Sequence, residues 1–296
     1  MIYETTIKRR AEDAFVVGAL LLIAAISVFP ILHLFALSFS DSGAASAGKV
    51  TIFPVQFNLA AYKVVVDDHL FFKTFLNSLK RVGLGVAVQF LITVLMAYPL
   101  SRSVNQFGSR NIYMWFVVFT MLFSGGLVPW YMTIRDLHLL DSIWALVLPG
   151  AVPVFNVILL MNFFRNLPKE LDDAMAIDGA GPWMGLVRMY IPLSLPAIAT
   201  VTLFSMVGHW NAFFDGLILI HSEEKQPLQT YLNQIVVQMN LNSANMTEDQ
   251  LNTLMKLSNK TVNSAKIFIS MLPLFIIYPF LQRYFIHGIT LGSVKE

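Results

Sequence analysis

Apolar residues run along the chain in long blocks rather than in alternating stripes. Six stretches free of Asp, Glu, Lys and Arg stand out: Ala14–Phe39, Val82–Leu100, Asn111–Ile134, Ser142–Phe164, Met189–Phe214 and Ile267–Gln282. A helix of about 20 mostly apolar residues crosses a hydrocarbon core of about 30 Å. Each stretch therefore predicts a membrane-spanning helix. The last holds 16 uncharged residues, roughly 24 Å of helix. Lys266 and Arg283 bracket it, and their long stems reach both interfaces. The expectation is an all-α polytopic membrane protein with six transmembrane helices.

Composition supports this reading. Of the 296 residues, 56% are hydrophobic and 13% charged, and the mean hydropathy is +0.64. That leaves too few charges to cover a soluble body of this size. A net charge of +2 and no basic cluster longer than Lys8-Arg9-Arg10 give no sign of a nucleic-acid partner. The chain has no cysteine, which excludes a disulfide frame and thiolate chemistry. Lys8-Arg9-Arg10 and Ala44-Ala45-Ser46-Ala47 resemble the ends of a signal peptide, but the apolar run between them is too long for one. An uncleaved first helix is expected.

With the N-terminus inside, the inner segments carry ten of the twenty Lys and Arg residues. The positive-inside rule is then indecisive, and the N-terminal triplet favours an inside N-terminus. Six spans return the C-terminus to the same side. Ser40–Lys73 and His221–Ala265 are the long outer segments, the second with an amphipathic stretch at Leu228–Met239. No repeat or low-complexity tract divides the chain, so a single transmembrane domain over 1–296 is the simplest partition.

Several chemistries are missing. There is no G-x-x-x-x-G-K-S/T loop for nucleotide, no G-x-S-x-G elbow and no H-E-x-x-H pair. The apolar stretches hold no ionisable group near their centres, where an ion-coupled transporter needs one. That argues against a rival class, the stand-alone secondary transporter of a sugar or similar polar solute. A membrane-embedded enzyme needs an acidic pair or a general base, and the pair weighed for that role, Asp172-Asp173, falls inside the patterned segment 166–192. What the spans do hold is uncharged polar groups and helix breakers. His33, Gln89, Asn156, His209 and Asn211 fall inside apolar stretches, where such groups commonly join helices. His209-Trp210-Asn211 also sets an aromatic face beside imidazole and amide, which suits a sugar. These three and Asn156 are the candidate substrate path. Gly125-Gly126 with Pro129, and Pro149 with Pro153, interrupt the third and fourth spans.

The segment 166–192 has its own pattern. Pro168 suits a first helical turn, and Glu170, Asp172 and Asp173 follow where the helix dipole favours anions. Leu171, Ala174 and Met175 share one face. Gly179 lies where a left-handed residue ends a helix. Pro182 opens a second helix with Trp183, Leu186, Val187 and Tyr190 on one face, and Pro192 ends it. This predicts a helix–turn–helix with two apolar faces.

Glu170–Pro196 resembles the EAA coupling loop of permease subunits in bacterial ABC importers of the carbohydrate family. Glu170, Leu171, Ala174, Ile177, Asp178, Gly179, Ala180, Pro192, Leu193 and Pro196 match its pattern in register. Asp173 stands where the family has Glu, and Met175 where it has Ala. Phe119–Pro129, Asp141–Gly150, Gly208–Asn211 and Tyr278–Lys295 extend the resemblance over nearly the whole chain, toward polysaccharide and complex-oligosaccharide permeases of the aldouronate, rhamnogalacturonan and alginate type. The resemblance implies a type I importer permease with six helices and both termini cytoplasmic, in a bacterial cytoplasmic membrane. It implies a second, related permease, two cytosolic ATPases carrying ATP and Mg, an outer solute-binding protein and a saccharide passed by alternating access. This chain itself would bind no cofactor and catalyse nothing. ATPase coupling would fall to Glu170, Leu171, Asp173, Ala174, Asp178, Gly179 and Ala180. The tail would place Gly288, Gly292 and Lys295 toward the ATPases.

Overall fold

The computed structural model describes residues 7–168, 170–241 and 260–293, with side chains described within these except at 7–11, 176, 237–241, 280, 281 and 283–293. Two compact units separate. One comprises the described residues of Met1–Phe71 and Ile235–Leu272, the other those of Phe72–Gln234 and Pro273–Glu296.

In the first unit, helix α1 (Ile7–Ser38) has no buried residue over its most hydrophobic window among the described residues. Two short helices follow, α2 (Ser42–Ser46) and α3 (Ala60–Val66). Asp41 caps α2 by accepting from Gly43 N at 2.8 Å, which satisfies a donor that the helix start leaves open. Ala36, Ala45 and Val50 form a small core under the loop.

The second unit is built on α4 (His69–Ser101), and its pattern is inside-out. Thr74, Ser78, Arg81, Gln89, Thr93 and Ala97 are buried, as is Gly85. Leu76, Leu79, Leu84, Leu91 and Leu95 face outward. Small and polar residues at a 3.6-residue period bring neighbouring helices close, and leucines on the far side suit hydrocarbon. The helix begins at His69, about three and a half turns before Val82, and Lys73 and Arg81 within it have acidic partners in Glu224 and Asp215. An uncharged-run criterion stops at such residues; the helix does not.

The next three predicted spans are broken. α5 (Arg110–Leu122) and α6 (Leu127–Asp136) meet at 111°. Gly126 at the break has φ +89°, a conformation that suits only glycine. α7 (Ile143–Val147) passes through a 3₁₀ turn at Leu148–Gly150 to α8 (Val154–Arg165), bent by 47° where Pro149 and Pro153 remove backbone donors. Gln89 Nε2 donates to the freed Gly150 carbonyl at 2.7 Å, the kind of repair that lets a break persist in a membrane.

α9 (Glu170–Ile177) is followed by α10 (Pro182–Gly185), a π turn at Leu186–Tyr190 and α11 (Ile191–Leu193). Pro192 does not end the helix, contrary to expectation. It has no N–H for the Arg188 carbonyl, and the chain widens just before it, with Ile191 N donating to Leu186 O. The turn comes at Ser194, where an 83° bend leads into α12 (Leu195–Asn211). α13 (Phe214–Leu219), α14 (Leu228–Leu241) and α15 (Lys260–Ser293) complete the described helices. α14 covers the expected amphipathic stretch. Among the described residues three helices are long and apolar enough to cross a membrane, and counting each of three bent pairs as one span gives up to six. Gly288 and Gly292 fall on the backbone of α15, and Lys295 lies outside the described residues.

The main core joins Val94 and Ala97 of α4, Val117 of α5, Val157, Leu160 and Phe164 of α8, Leu186 and Tyr190 of the π turn, and Ile198 and Val201 of α12. It packs against the α9–α11 segment through Met175, Leu186 and Tyr190.

Candidate functional site

One buried face of α4 carries Arg81, Gly85 and Gln89 at i, i+4 and i+8, and this face opens on a cavity of about 470 Å³. Asn156 of α8, Ser205 and His209 of α12 and Asp215 add to its polar lining, with Trp130, Pro149 and Phe204 among its apolar walls. Asn156 Nδ2 donates to Val201 O at 3.2 Å and to Ser205 Oγ at 3.1 Å, so it also joins α8 to α12. A second cavity of about 820 Å³ lies at the α5–α6 break, lined by Gly125, Gly126, Asn211 and Phe213. The two share Trp130 and Asp215.

The expected His209-Trp210-Asn211 cluster is divided. His209 is buried on the first cavity, and Asn211 is exposed on the second. Trp210 lines neither; it is buried, its ring edge-on to Phe75 with centroids 5.7 Å apart. Successive residues on an α-helix point about 100° apart, so three neighbours in sequence cannot share one wall.

One buried charge escapes notice in the sequence. Arg81, its side chain 3% exposed, forms an ion pair with Asp215. Its Nη1 donates to Asp215 Oδ1 at 3.1 Å and to Ala212 O at 3.2 Å, and its Nη2 to Asp215 Oδ2. Ala212 lies between α12 and α13, where the helix ends and its carbonyl needs a donor. A lone guanidinium in a span is costly, while a bidentate carboxylate with a further acceptor offsets much of that cost. Arg81 lies just outside the uncharged stretch Val82–Leu100 but inside α4, so the helix carries a buried charge that the bounds of the stretch leave out. Two residues that each sit at the edge of an apolar stretch meet in space.

At the entry to α7, Asp141 adopts φ +57°. Its carboxylate accepts from Ser222 N at 2.9 Å and from Ser222 Oγ at 2.7 Å, and pairs with Lys225. Hydrogen bonds from Lys225 and Ser222 hold its carboxyl well below the usual range. This tether ties the start of α7 to the segment after α13.

In the segment after α8, Gly179 has φ +68° and ends α9 as expected. Ala180 N donates to Met175 O at 2.9 Å, the 6→1 bond of a Schellman cap. The predicted faces divide between inside and outside. Leu171 and Met175 are half-buried, with Met175 against the core, and Ala174 is exposed. Leu186 and Tyr190 are buried while Trp183 and Val187 are exposed. The outward surface thus carries Ile177 at 86% exposure and Trp183 at 69%, beside exposed Glu170, Asp173 and Asp178. Asp172 turns inward, where Arg102 Nη1 and Tyr190 Oη each donate to its Oδ1 at 2.7 Å. No signal in the sequence singled out Arg102.

Comparison with known proteins agrees with this geometry. The chain is 38% identical over 288 residues to the polygalacturonan/rhamnogalacturonan transport system permease protein YtcP of Bacillus subtilis (strain 168), covering 97% of this chain and 99% of that one. It is 39% identical over 273 residues to protein LplC of the same organism, covering 92% and 91%. Among solved structures it is similar to a chain of a bacterial ABC transporter involved in the import of the acidic polysaccharide alginate. That match has a TM-score of 0.84 and 32% identity, and covers 95% of this chain and 98% of that one. The dependence of the matched family on a binding protein sets aside the stand-alone transporter. With residues 89–291 matched, the chain belongs to the binding-protein-dependent transport system inner membrane components, the permease subunits of ABC importers.

Proposed function

We propose that this permease passes an acidic oligo- or polysaccharide inward, paired with a second, related permease. An outer solute-binding protein delivers the saccharide, and two cytosolic ATPases beneath carry the ATP and Mg. The observation that carries the docking half of this reading is the outward surface of α9 and α10. Ile177 and Trp183 are large apolar side chains left in the open beside a rigid left-handed turn, and exposed apolar groups of this kind mark partner surfaces. Glu170, Leu171, Asp173, Ala174, Asp178, Gly179 and Ala180 frame that surface. Gly288, Gly292 and Lys295 are assigned to a secondary contact on the same side. Both termini are then cytoplasmic.

The saccharide half is supported by the polar lining of the first cavity and by the acidic substrates named for the relatives. Asn156 and His209 line the path, with Asn211 at the second cavity. The exposed apolar face of α5, with Ile112, Trp115, Phe116 and Leu122, suits lipid or the second permease. The test is to isolate a tagged chain from its native membrane and reconstitute the complex with its binding protein. An ATPase and a second permease should co-purify, and oligogalacturonate should stimulate hydrolysis and uptake where neutral oligosaccharides of equal length do not. Isolation of the chain alone, or transport without ATP, would overturn the proposal.

A further inference from the structure

Arg102 stands just beyond the last residue of α4 and meets two other elements. Its guanidinium carbon lies 4.4 Å from the ring centroid of Tyr98 on α4 and 4.3 Å from that of Tyr190 in the π turn. The two rings stand at 75° to each other, so the guanidinium sits in the angle between them. Its Nη1 donates to Asp172 of α9, and the Tyr190 hydroxyl donates to the same carboxylate oxygen. A planar cation fits this place because it can touch both ring faces and a carboxylate at once, which an ammonium cannot.

A second contact lies beside the first. At Gly185 on α10, a Cβ would lie 3.2 Å from Met175 Cε and 3.3 Å from Tyr98 Oη. The absence of a side chain there is what lets α9 and α4 close on α10. α9 is therefore held inward through Asp172 and Met175, while Ala174, Ile177 and Asp178 remain on its outer face.

α4 also reaches the cavity. Arg81, Gly85 and Gln89 touch it through Asp215, His209 and the Gly150 carbonyl respectively. From Arg102 to Arg81 is roughly 30 Å along a helix. Pro99 removes one donor, that to the Leu95 carbonyl, near the end of α4, and Tyr98 and Arg102 stand on either side of it in sequence.

We propose that Arg102 is a positioning residue for transport, clamping α9 to α4 so that movement of the docked segment is delivered along α4 to the Arg81–Gln89 wall of the cavity. This rests on the reading that α9 docks the ATPases. A segment held only by apolar contacts could slide against the bundle. A carboxylate bound by two donors, one of them wedged between rings, moves with its partners. α4 then carries the displacement as a rigid element, a physical route with named contacts at both ends.

The test uses the complete complex in vesicles, comparing hydrolysis with and without oligogalacturonate-loaded binding protein. Arg102→Ala should leave the ATPases bound and basal hydrolysis present. Stimulated hydrolysis and uptake should fall about tenfold, the factor that about 1.4 kcal/mol of lost coupling corresponds to. Arg102→Lys should recover part of the stimulation, because an ammonium reaches Asp172 but cannot lie on both rings. Tyr190→Phe, which keeps the ring and removes one hydroxyl, should give a smaller loss and guards against a folding artefact. Parental stimulation in Arg102→Ala would overturn the clamp. So would loss of the ATPases from that variant, since the side chain would then only keep the segment folded. Failure of the parent chain to hold ATPases would overturn the docking reading instead, whatever Arg102 does.

Discussion

The ring of His209 occupies the space that a side chain at Gly85 would fill: a Cβ there would lie 2.6 Å from both Cδ2 and Cε1 of the imidazole. α4 and α12 approach closely at this point because one contributes no side chain and the other contributes a flat one. Gly85→Ala should therefore push the imidazole aside and widen the helix contact at the cavity wall. Overpacking of this kind costs about 1–3 kcal/mol. We expect a lower unfolding temperature of the purified complex together with reduced uptake. An unchanged unfolding temperature would show that the ring moves away freely.

Gly179 has open space around it, with no atom within 4 Å of the place a Cβ would take, so only its backbone resists substitution. At φ +68°, a β-branched residue is strained by about 1–2 kcal/mol. Gly179→Val should leave membrane insertion intact, since α9 and its turn lie outside the long apolar helices. It should lower ATPase retention and uptake together. Full retention of the ATPases on the tagged variant would mean the turn does not set the docking angle.

The Arg81–Asp215 pair makes a sharper forecast. Asp215→Asn leaves a buried guanidinium without its counter-charge, a loss of about 3–5 kcal/mol in comparable pairs. The double replacement Arg81→Met with Asp215→Leu removes both charges and should regain much of the yield. A double-mutant cycle on thermal stability reads the coupling directly. Additive losses would show that the two residues are independent.

Asp141 gives the pH dependence. Its carboxyl is held low by Lys225 and Ser222, so the native state favours the ionised form more than the unfolded chain does. The resulting stability is present above the ordinary carboxylate range, near pH 4, and is lost as pH falls through the lower native value. Asp141→Asn should lower the unfolding temperature at pH 7, with the gap to the parent closing as the solution is acidified. A gap that stays constant down to about pH 3, below the ordinary carboxylate range, would exclude Asp141 as the titrating group.

Much of the architecture is legible in the chain itself. Six apolar blocks correspond to three long apolar helices and three bent pairs among the described residues, because the hydrocarbon thickness sets a length that any reader can measure. Gly126, Gly179, Pro149 and Pro153 mark breaks and a cap, since their effects act on the local backbone and need no partner. The coupling segment is equally local in part: acidic residues, a glycine and a proline in order fix both ends of α9 and the start of α10.

Tertiary structure decided what depends on two distant residues meeting. Arg81 and Asp215 are 134 positions apart, and each looks like a charge at the edge of a span until the bends bring them together. Arg102 has no local distinction, yet the α9 turn and the π turn deliver Asp172 and Tyr190 to it. His209, Trp210 and Asn211 read as one cluster along the chain, but helical rotation sends them to the first cavity, the core and the second cavity. Periodicity and composition report what each residue does to its own backbone. Which face of a helix meets which neighbour is fixed by packing, through bends of 111°, 47° and 83°; glycines and prolines announce the first two, and the direction of none is legible in the sequence.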